Sequence, residues 1–394
     1  MAANRRWLTP LLSILALLAG CATEPPAGPP LPRDMAHRPD GRSATAWPAT
    51  LDEREAEARI AALIPAGVKD RPGWAADLHA AYASLNIPHA TETYCAAIAI
   101  IEQESTFQVD PVIPGLPGIV RRELDRRADK YGVPKFLISA AMLKASPDGR
   151  SYDQRIDALK TEKQINTLFE DMIGELPFGR QLLTDYNPVH TAGPMQVSVD
   201  FAQQHAREKP YPYPIAKTLR DEVFTRRGGV YFGSAILLDY PTPYDSVVFR
   251  FADFNAGRYS SRNAAFQATL SSYAGKPLAA DGDLLRYEKG EPAEAPSQVE
   301  AVLRYLAGPL RMNAAEIRRD LLLEKSAAFG QSTLYGRLYA LADQAAGKPM
   351  PRQALPNISL KSPKITRELT TEWFARRVED RYSKCLARAV SMPR

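Results

Sequence analysis

Apolar residues recur at three- and four-residue intervals along most of this chain, the spacing that lines one face of an α-helix. Leu51, Ala58 and Ala62 open the series, and Gly67 follows as a stop. Leu78, Tyr82 and Leu85 share one side of a second predicted helix over residues 74–85. A third runs from a cap at Thr91 or Thr93 through Ile98, Ile100 and Ile101 to Glu104. Further helical spacing covers residues 137–143, 156–172 and 229–240. The final predicted helix, over 366–390, aligns Phe374, Val378, Tyr382 and Cys385 on one stripe. Residues 119–130 carry charges of both signs at helical spacing, which predicts a solvated face. Strand signal is thin, since Val247-Val248-Phe249 fits a helix as well as a strand. No internal repeat is present, and the pattern predicts a mostly helical α+β domain over residues 51–390.

The ends change the picture. Arg5 and Arg6 precede Leu11 to Leu18, an apolar run too short to span a bilayer as a mature helix. It ends in Leu18-Ala19-Gly20-Cys21, which resembles a lipoprotein-processing box. That resemblance implies a signal peptide over 1–20 and acylation of Cys21; an ordinary signal peptide with an incidental cysteine is the alternative. Ala22 stands where Asp would retain a lipoprotein in the inner membrane, so the expected location is the outer membrane, facing the periplasm. Residues 21–50 hold Pro25, Pro26, Pro29, Pro30, Pro32, Pro39 and Pro48, a composition that predicts an extended, solvated spacer.

A net charge of +5 gives no argument for nucleic acid. Beyond Cys21 only Cys95 and Cys385 remain; two leftover thiols in an exported chain predict a disulfide, against the alternative of two separate buried thiols. The five histidines are scattered without metal-ligand spacing, so neither a metal nor another cofactor is expected.

Three short strings carry the chemistry: Glu104-Ser105-Thr106-Phe107, Gly193-Pro194-Met195-Gln196-Val197 and Phe254-Asn255-Ala256-Gly257. In that order they resemble the E-S-x-F, G-L-M-Q and Y-N-A-G signatures of lysozyme-like lytic transglycosylases, which cut the glycan strands of peptidoglycan. The run Gly228-Gly229-Val230 to Leu238 resembles the family's segment between the second and third strings. The chain as a whole also resembles an uncharacterised group of proteobacterial lipoproteins.

The resemblance implies a lysozyme-like domain in which Glu104 is the catalytic acid and then base. Cleavage needs a carboxylic acid whose pKa is raised by an apolar setting. Ala97, Ile100 and Ile101 supply such a setting on the side of Glu104, although Glu102 also follows apolar residues, and only the resemblance selects between them. Ser105 either approaches the substrate or caps a backbone group, and Phe107 reads as a core anchor. The family's glycine-led turn places Met195 and Gln196 toward the sugar, where the amide of Gln196 suits an acetamido group. Phe254 and Asn255 complete the implied binding set. In this family the muramic acid acetamido group assists and the sugar's 6-hydroxyl closes a 1,6-anhydro ring, so no second carboxylate is required.

Two departures stand out. Pro194 replaces the usual leucine, and Phe254 replaces a tyrosine whose hydroxyl would reach the catalytic carboxyl; Tyr259 is the nearest tyrosine to replace it. The first and second strings are also far apart, which predicts a mostly helical insertion over about 111–190 that roofs the cleft, restricts the glycan or binds a protein partner. A C-terminal helical extension is expected over about 290–390. Tyr211-Pro212-Tyr213-Pro214 reads as loop packing before sugar stacking. Two other functions stay open: a goose-type hydrolase, with water held by Asp110 or Asp185, and a non-catalytic peptidoglycan-binding lipoprotein.

Overall fold

Eleven of the fourteen residues of one helix, α3 (Thr91–Glu104), are buried, and the main core is arranged around it. Its run from Tyr94 to Ile101 is apolar or small on every side, the pattern of a helix enclosed by neighbours rather than lying on a surface. The computed structural model describes residues 33–35, 46–48, 51–288, 290–360 and 369–391. Leu11 to Leu18 and Cys21 lie outside them. No described helix is long and apolar enough to cross a membrane.

Around α3 pack α1 (Glu53–Leu63) and α2 (Arg71–Leu85), which precede it. The segment after it forms α4 (Leu116–Tyr131), α5 (Lys135–Met142), α6 (Tyr152–Asp157), α7 (Glu162–Gly174) and α8 (Gly179–Leu183). The predicted helix over 156–172 is in fact two. Thr161 caps α7 by accepting from the Gln164 amide at 3.3 Å, so the chain restarts there. This inserted segment has its own small core of Leu116, Met142, Tyr152, Ile156, Leu159 and Leu168.

An antiparallel hairpin follows, β1 (Thr191–Ala192) with β2 (Val197–Ser198), pairing Thr191 with Ser198 and Ala192 with Val197. Then come α9 (Val199–Glu208), α10 (Leu219–Val223), α11 (Arg226–Leu238), α12 (Val248–Ala256) and α13 (Ser260–Ala274). Val248 and Phe249 are therefore helical.

The C-terminal part does not append to this core as one extension. A short hairpin, β3 (Tyr287–Glu288) with β4 (Glu291–Pro292), leads into α14 (Gln298–Tyr305), α15 (Ala307–Leu310), α16 (Ala314–Leu321) and α17 (Thr333–Ala346). These helices build a second core with Phe266 and Leu270 of α13. After β5 (Ser359–Leu360) pairs with β6 (Leu369–Thr370), α18 (Thr371–Val390) returns to the first core. It runs antiparallel to α3, since Cys385 bonds Cys95 near the start of α3 while Arg381 faces Glu102 near its end. The Cys95–Cys385 disulfide has a Cα separation of 5.5 Å. Among the described residues the fold is mostly helical, with three two-stranded sheets.

The spacer expected over 21–50 is partly docked. Met35 is fully buried, and Asp34 forms a buried ion pair with Arg250 of α12. Trp47 donates its amide to His89 O at 2.6 Å and lays its ring 5.1 Å from that of Tyr94. Residues 33–35 form a short 3-10 turn rather than extended backbone, and proline content is silent on whether single side chains between the prolines find a core.

Candidate active site

Glu104 is the last residue of α3 and is half-buried. Ser105 ends the helix: its hydroxyl and its amide both donate to Ile101 O, at 3.0 and 3.1 Å. Buried in this role, Ser105 caps the backbone rather than facing a substrate. The chain then turns through Thr106 and Phe107 with φ of 51° and 59°, left-handed conformations that a β-branched or aromatic residue seldom adopts. The turn is held by the Phe107 ring, buried edge-on against Trp74 at 5.2 Å. Glu102 faces elsewhere. It lies 3.9 Å from Arg381 of α18, and a helix turns about 200° over two residues, so Glu104 points away from that ion pair.

The second string forms the four-residue turn of the β1–β2 hairpin. Gly193 has φ 73°, and a Cβ there would stand 2.1 Å from Val223 O, so only glycine fits. Pro194 and Met195 press into two glycines of α11: a Cβ on Gly229 would lie 2.4 Å from the Pro194 ring, and one on Gly233 would meet the Met195 sulfur at 2.4 Å. Met195 is fully buried, which corrects its expected place facing the sugar; it seats the hairpin. Gln196 is left-handed (φ 50°) and half-buried. Its amide accepts from Thr191 Oγ1 at 3.1 Å and donates to Glu162 Oε2 of α7 at 3.2 Å.

The third string ends α12. Asn255 is exposed and accepts from Thr371 Oγ1 at 3.0 Å, at the head of α18, while Phe254 is half-buried against the main core. The support beneath is Asp253, fully enclosed, which accepts from Tyr244 OH at 2.6 Å, Tyr240 OH at 3.1 Å and the amides of Tyr259 and Ser261 at 2.9 and 2.6 Å. Burial pushes its carboxyl above the ordinary carboxylate range, against the hydrogen bonds that pull it down. Tyr259 is buried, with its ring edge-on to Tyr240 at 5.2 Å.

All three strings attach to successive turns of α11. Arg226, its first residue, lies over Trp74 at 5.4 Å and so backs Phe107. Gly229 and Gly233 receive the hairpin. Arg258, just past the third string, donates to Ala235 O and Ile236 O at 2.5 and 3.3 Å. The antiparallel packing of α18 on α3 places Asn255 toward the end of the helix layer that carries Glu104. Gln196 and Asn255 engage different partners, Glu162 and Thr371, and do not touch through them.

Residue types alone concealed several partners. Glu162 and Asp253 look like any surface acids in sequence; only tyrosines at 240, 244 and 259 around Asp253 hint at a buried carboxylate. Asp110 accepts from Thr161 Oγ1 at 2.9 Å, fastening the neck of the inserted segment. Asp185 lies with Arg126, Arg127, Lys130 and His190 around a separate pocket. Tyr211 stacks on Phe232 at 5.0 Å and donates to Glu222 at 2.9 Å, so the Tyr-Pro repeat packs the loop. Among the described residues one group could hold a cation, Glu53, Glu57 and His79, whose ligand atoms lie within 4.8 Å of one another. The i, i+4 glutamates of α1 are its only trace in the sequence.

Residues 67–388 match the family described as Protein of unknown function (DUF1615), and the chain belongs to that family. It is 47% identical over 323 residues to the Uncharacterized protein YaiW of Escherichia coli (strain K12), covering 82% of this chain and 87% of that protein. No solved structure gives a significant match.

Proposed function

We propose that this protein is an outer-membrane lipoprotein, acylated at Cys21, that cleaves peptidoglycan glycan strands with Glu104 as its single acid–base residue in a lysozyme-like domain. The observation that carries this reading is where the backbone is strained. Of the eight described non-glycine residues with positive φ, four lie in or beside the three strings: Thr106, Phe107, Gln196 and Tyr259. Such conformations persist only where surroundings over-determine them, and they cluster at functional sites.

The mechanism follows from the residues. Glu104 ends an apolar helix and is half-buried, at the start of the first string. It gives its proton to the bridging oxygen between N-acetylmuramic acid and N-acetylglucosamine. The same carboxylate then takes the proton of the muramic 6-hydroxyl as that oxygen attacks the anomeric carbon, with the acetamido group assisting, and a 1,6-anhydro end results. Gln196 and Asn255 present amides for the sugar's polar groups. The inserted segment, reaching Gln196 through Glu162, roofs this side of the site.

A second reading is favoured by Phe254: a cleft that binds glycan without turning it over. No hydroxyl is available at that position, and Tyr259 is buried beside Tyr240. Incubating the chain with purified sacculi and identifying the released ends by mass spectrometry separates the readings. Anhydro ends that fall about 10²-fold or more with Glu104→Gln support the lytic reading. Reducing ends indicate a hydrolase, and binding without release indicates the binding protein.

A further inference from the structure

Nine of the fourteen large apolar side chains exposed in the described chain belong to the inserted segment between the first and second strings. Phe136 and Leu143 are each 70% exposed, Phe178 is 72% and Leu182 is 70%. Monomers rarely leave so dense an apolar group in water. Two elements present it. One is α5 with Leu143, which is exposed along nearly its whole length; the other is the turn from Leu176 to Leu182 after α7. The Lys144–Glu175 ion pair ties them together, so Leu143 and Leu176 flank one contact.

Basic residues bracket this group. Lys135 precedes Phe136, Lys144 follows Leu143, and Arg180 stands between Phe178 and Leu182. Residues 121–144 hold seven Lys or Arg against three Asp or Glu. Arg126, Arg127, Lys130 and His190, with Asp185 as the one acidic residue, surround a pocket of about 340 Å³ that Tyr186, itself 63% exposed, also lines. Exposed Phe and Leu rimmed by long cationic side chains is the composition of surfaces that enter an anionic bilayer interface.

We infer that this apolar face of the inserted segment docks on an anionic phospholipid surface. The inference rests on the lipid-anchored reading for its geometry. Because Asp34 is locked to Arg250, only the residues between Cys21 and Arg33 separate an acylated Cys21 from the folded part. At roughly 3.3–3.6 Å per extended residue they reach about 40 Å, which keeps the domain within touching distance of its bilayer. With the inserted segment on the membrane, Glu162 and Gln196 behind it would set the height at which a glycan strand is met.

The test uses the mature chain from Ala22, which keeps every described residue and lacks the acylated cysteine, so the anchor cannot cause the binding. It should co-sediment with vesicles containing phosphatidylglycerol and release at high salt. Phe136→Ser/Leu143→Ser/Phe178→Asn should lower the bound fraction at least about tenfold, with unchanged melting. In Phe136→Trp, tryptophan emission should shift to the blue on adding the same vesicles. No vesicle binding, binding unaffected by the triple substitution, or a dimer dispersed by it in place of vesicle binding would each overturn the inference. Fatty-acid labelling of the full chain, with Cys21→Ala as control, reports on the anchor separately.

Discussion

Met195 fills the groove that Gly233 leaves open on α11: a Cβ at Gly233 would stand 2.4 Å from the Met195 sulfur and 2.7 Å from its Cβ. This contact seats the turn that carries Gln196. Gly233→Ala therefore overpacks a closed site and should cost about 1–3 kcal/mol in urea unfolding. Gly336 of α17 is the control, since nothing lies within 4 Å of a Cβ there. Gly336→Ala should stabilise by roughly 0.5–1 kcal/mol. Opposite signs at two helical glycines would locate the effect in the hairpin seat.

The Cys95–Cys385 bridge closes 290 residues of sequence and fixes the antiparallel pair of α3 and α18. Reduction, or replacement of both cysteines by alanine, should remove up to about 5–6 kcal/mol in the chain-entropy account. The unfolding midpoint with and without reductant measures it. An unchanged midpoint would mean that the packing of α18 alone holds the layer.

Much of this arrangement was legible before any coordinates. The spacing through Ile98, Ile100 and Ile101 announced the helix that ends at Glu104, and the stripe through Phe374, Val378, Tyr382 and Cys385 announced the face that α18 lays on it; all four are buried. Periodicity reports burial and little else. It could not tell that Met195 points inward while Gln196 does not, because a turn has no repeating face. It could not separate Glu102 from Glu104 either, since the partner of Glu102, Arg381, lies far along the chain. Asp34 and Met35 were missed for a related reason: two core contacts among prolines leave no pattern.

That docked segment yields its own prediction. Arg250 is fully buried between Asp34, Leu237 O at 3.2 Å and Tyr240 O at 3.3 Å. Asp34→Leu strands the guanidinium without its counter-charge and should cost about 3–5 kcal/mol. The double variant Asp34→Leu/Arg250→Met removes both charges and should recover most of the loss. A double-mutant cycle in urea reads the difference.

Acid should weaken the fold through two histidines. Burial holds His205 below its ordinary value, and burial together with the nearby His79 does the same for His89. In both the folded state binds protons less readily than the unfolded chain, so stability is full above about pH 6.5 and is lost as pH falls through the folded values. His89 also sits 2.5 Å from Tyr94 OH. The unfolding midpoint should fall on acidification below pH 6.5, and His89→Asn should flatten part of that slope. An identical slope in the variant would place the titration elsewhere.

Glu102 and Glu104 provide the sharpest contrast, because two residues of one helix turn should fail in different ways. Glu102 is the carboxylate nearest Arg381, and it also opposes the downward push that burial exerts on Arg381 and Arg388. Glu102→Gln keeps the shape and removes the charge that these two guanidiniums face. It should lower stability by about 1–3 kcal/mol while leaving most glycan cleavage intact at temperatures where the chain is folded. Glu104→Gln leaves untouched the cap by which Ser105 closes α3, which uses only Ile101 O. It should keep the helix content and melting near those of the parent, and cleavage should fall about 10²-fold or more, since an amide cannot deliver the proton. Glycan retention on the variant should persist, because the amide still offers hydrogen bonds. Melting curves and released-end assays on both variants decide the matter together. Loss of turnover in Glu102→Gln with turnover kept in Glu104→Gln would transfer the chemistry to the other face of α3, and loss in neither would leave the three strings as a binding site.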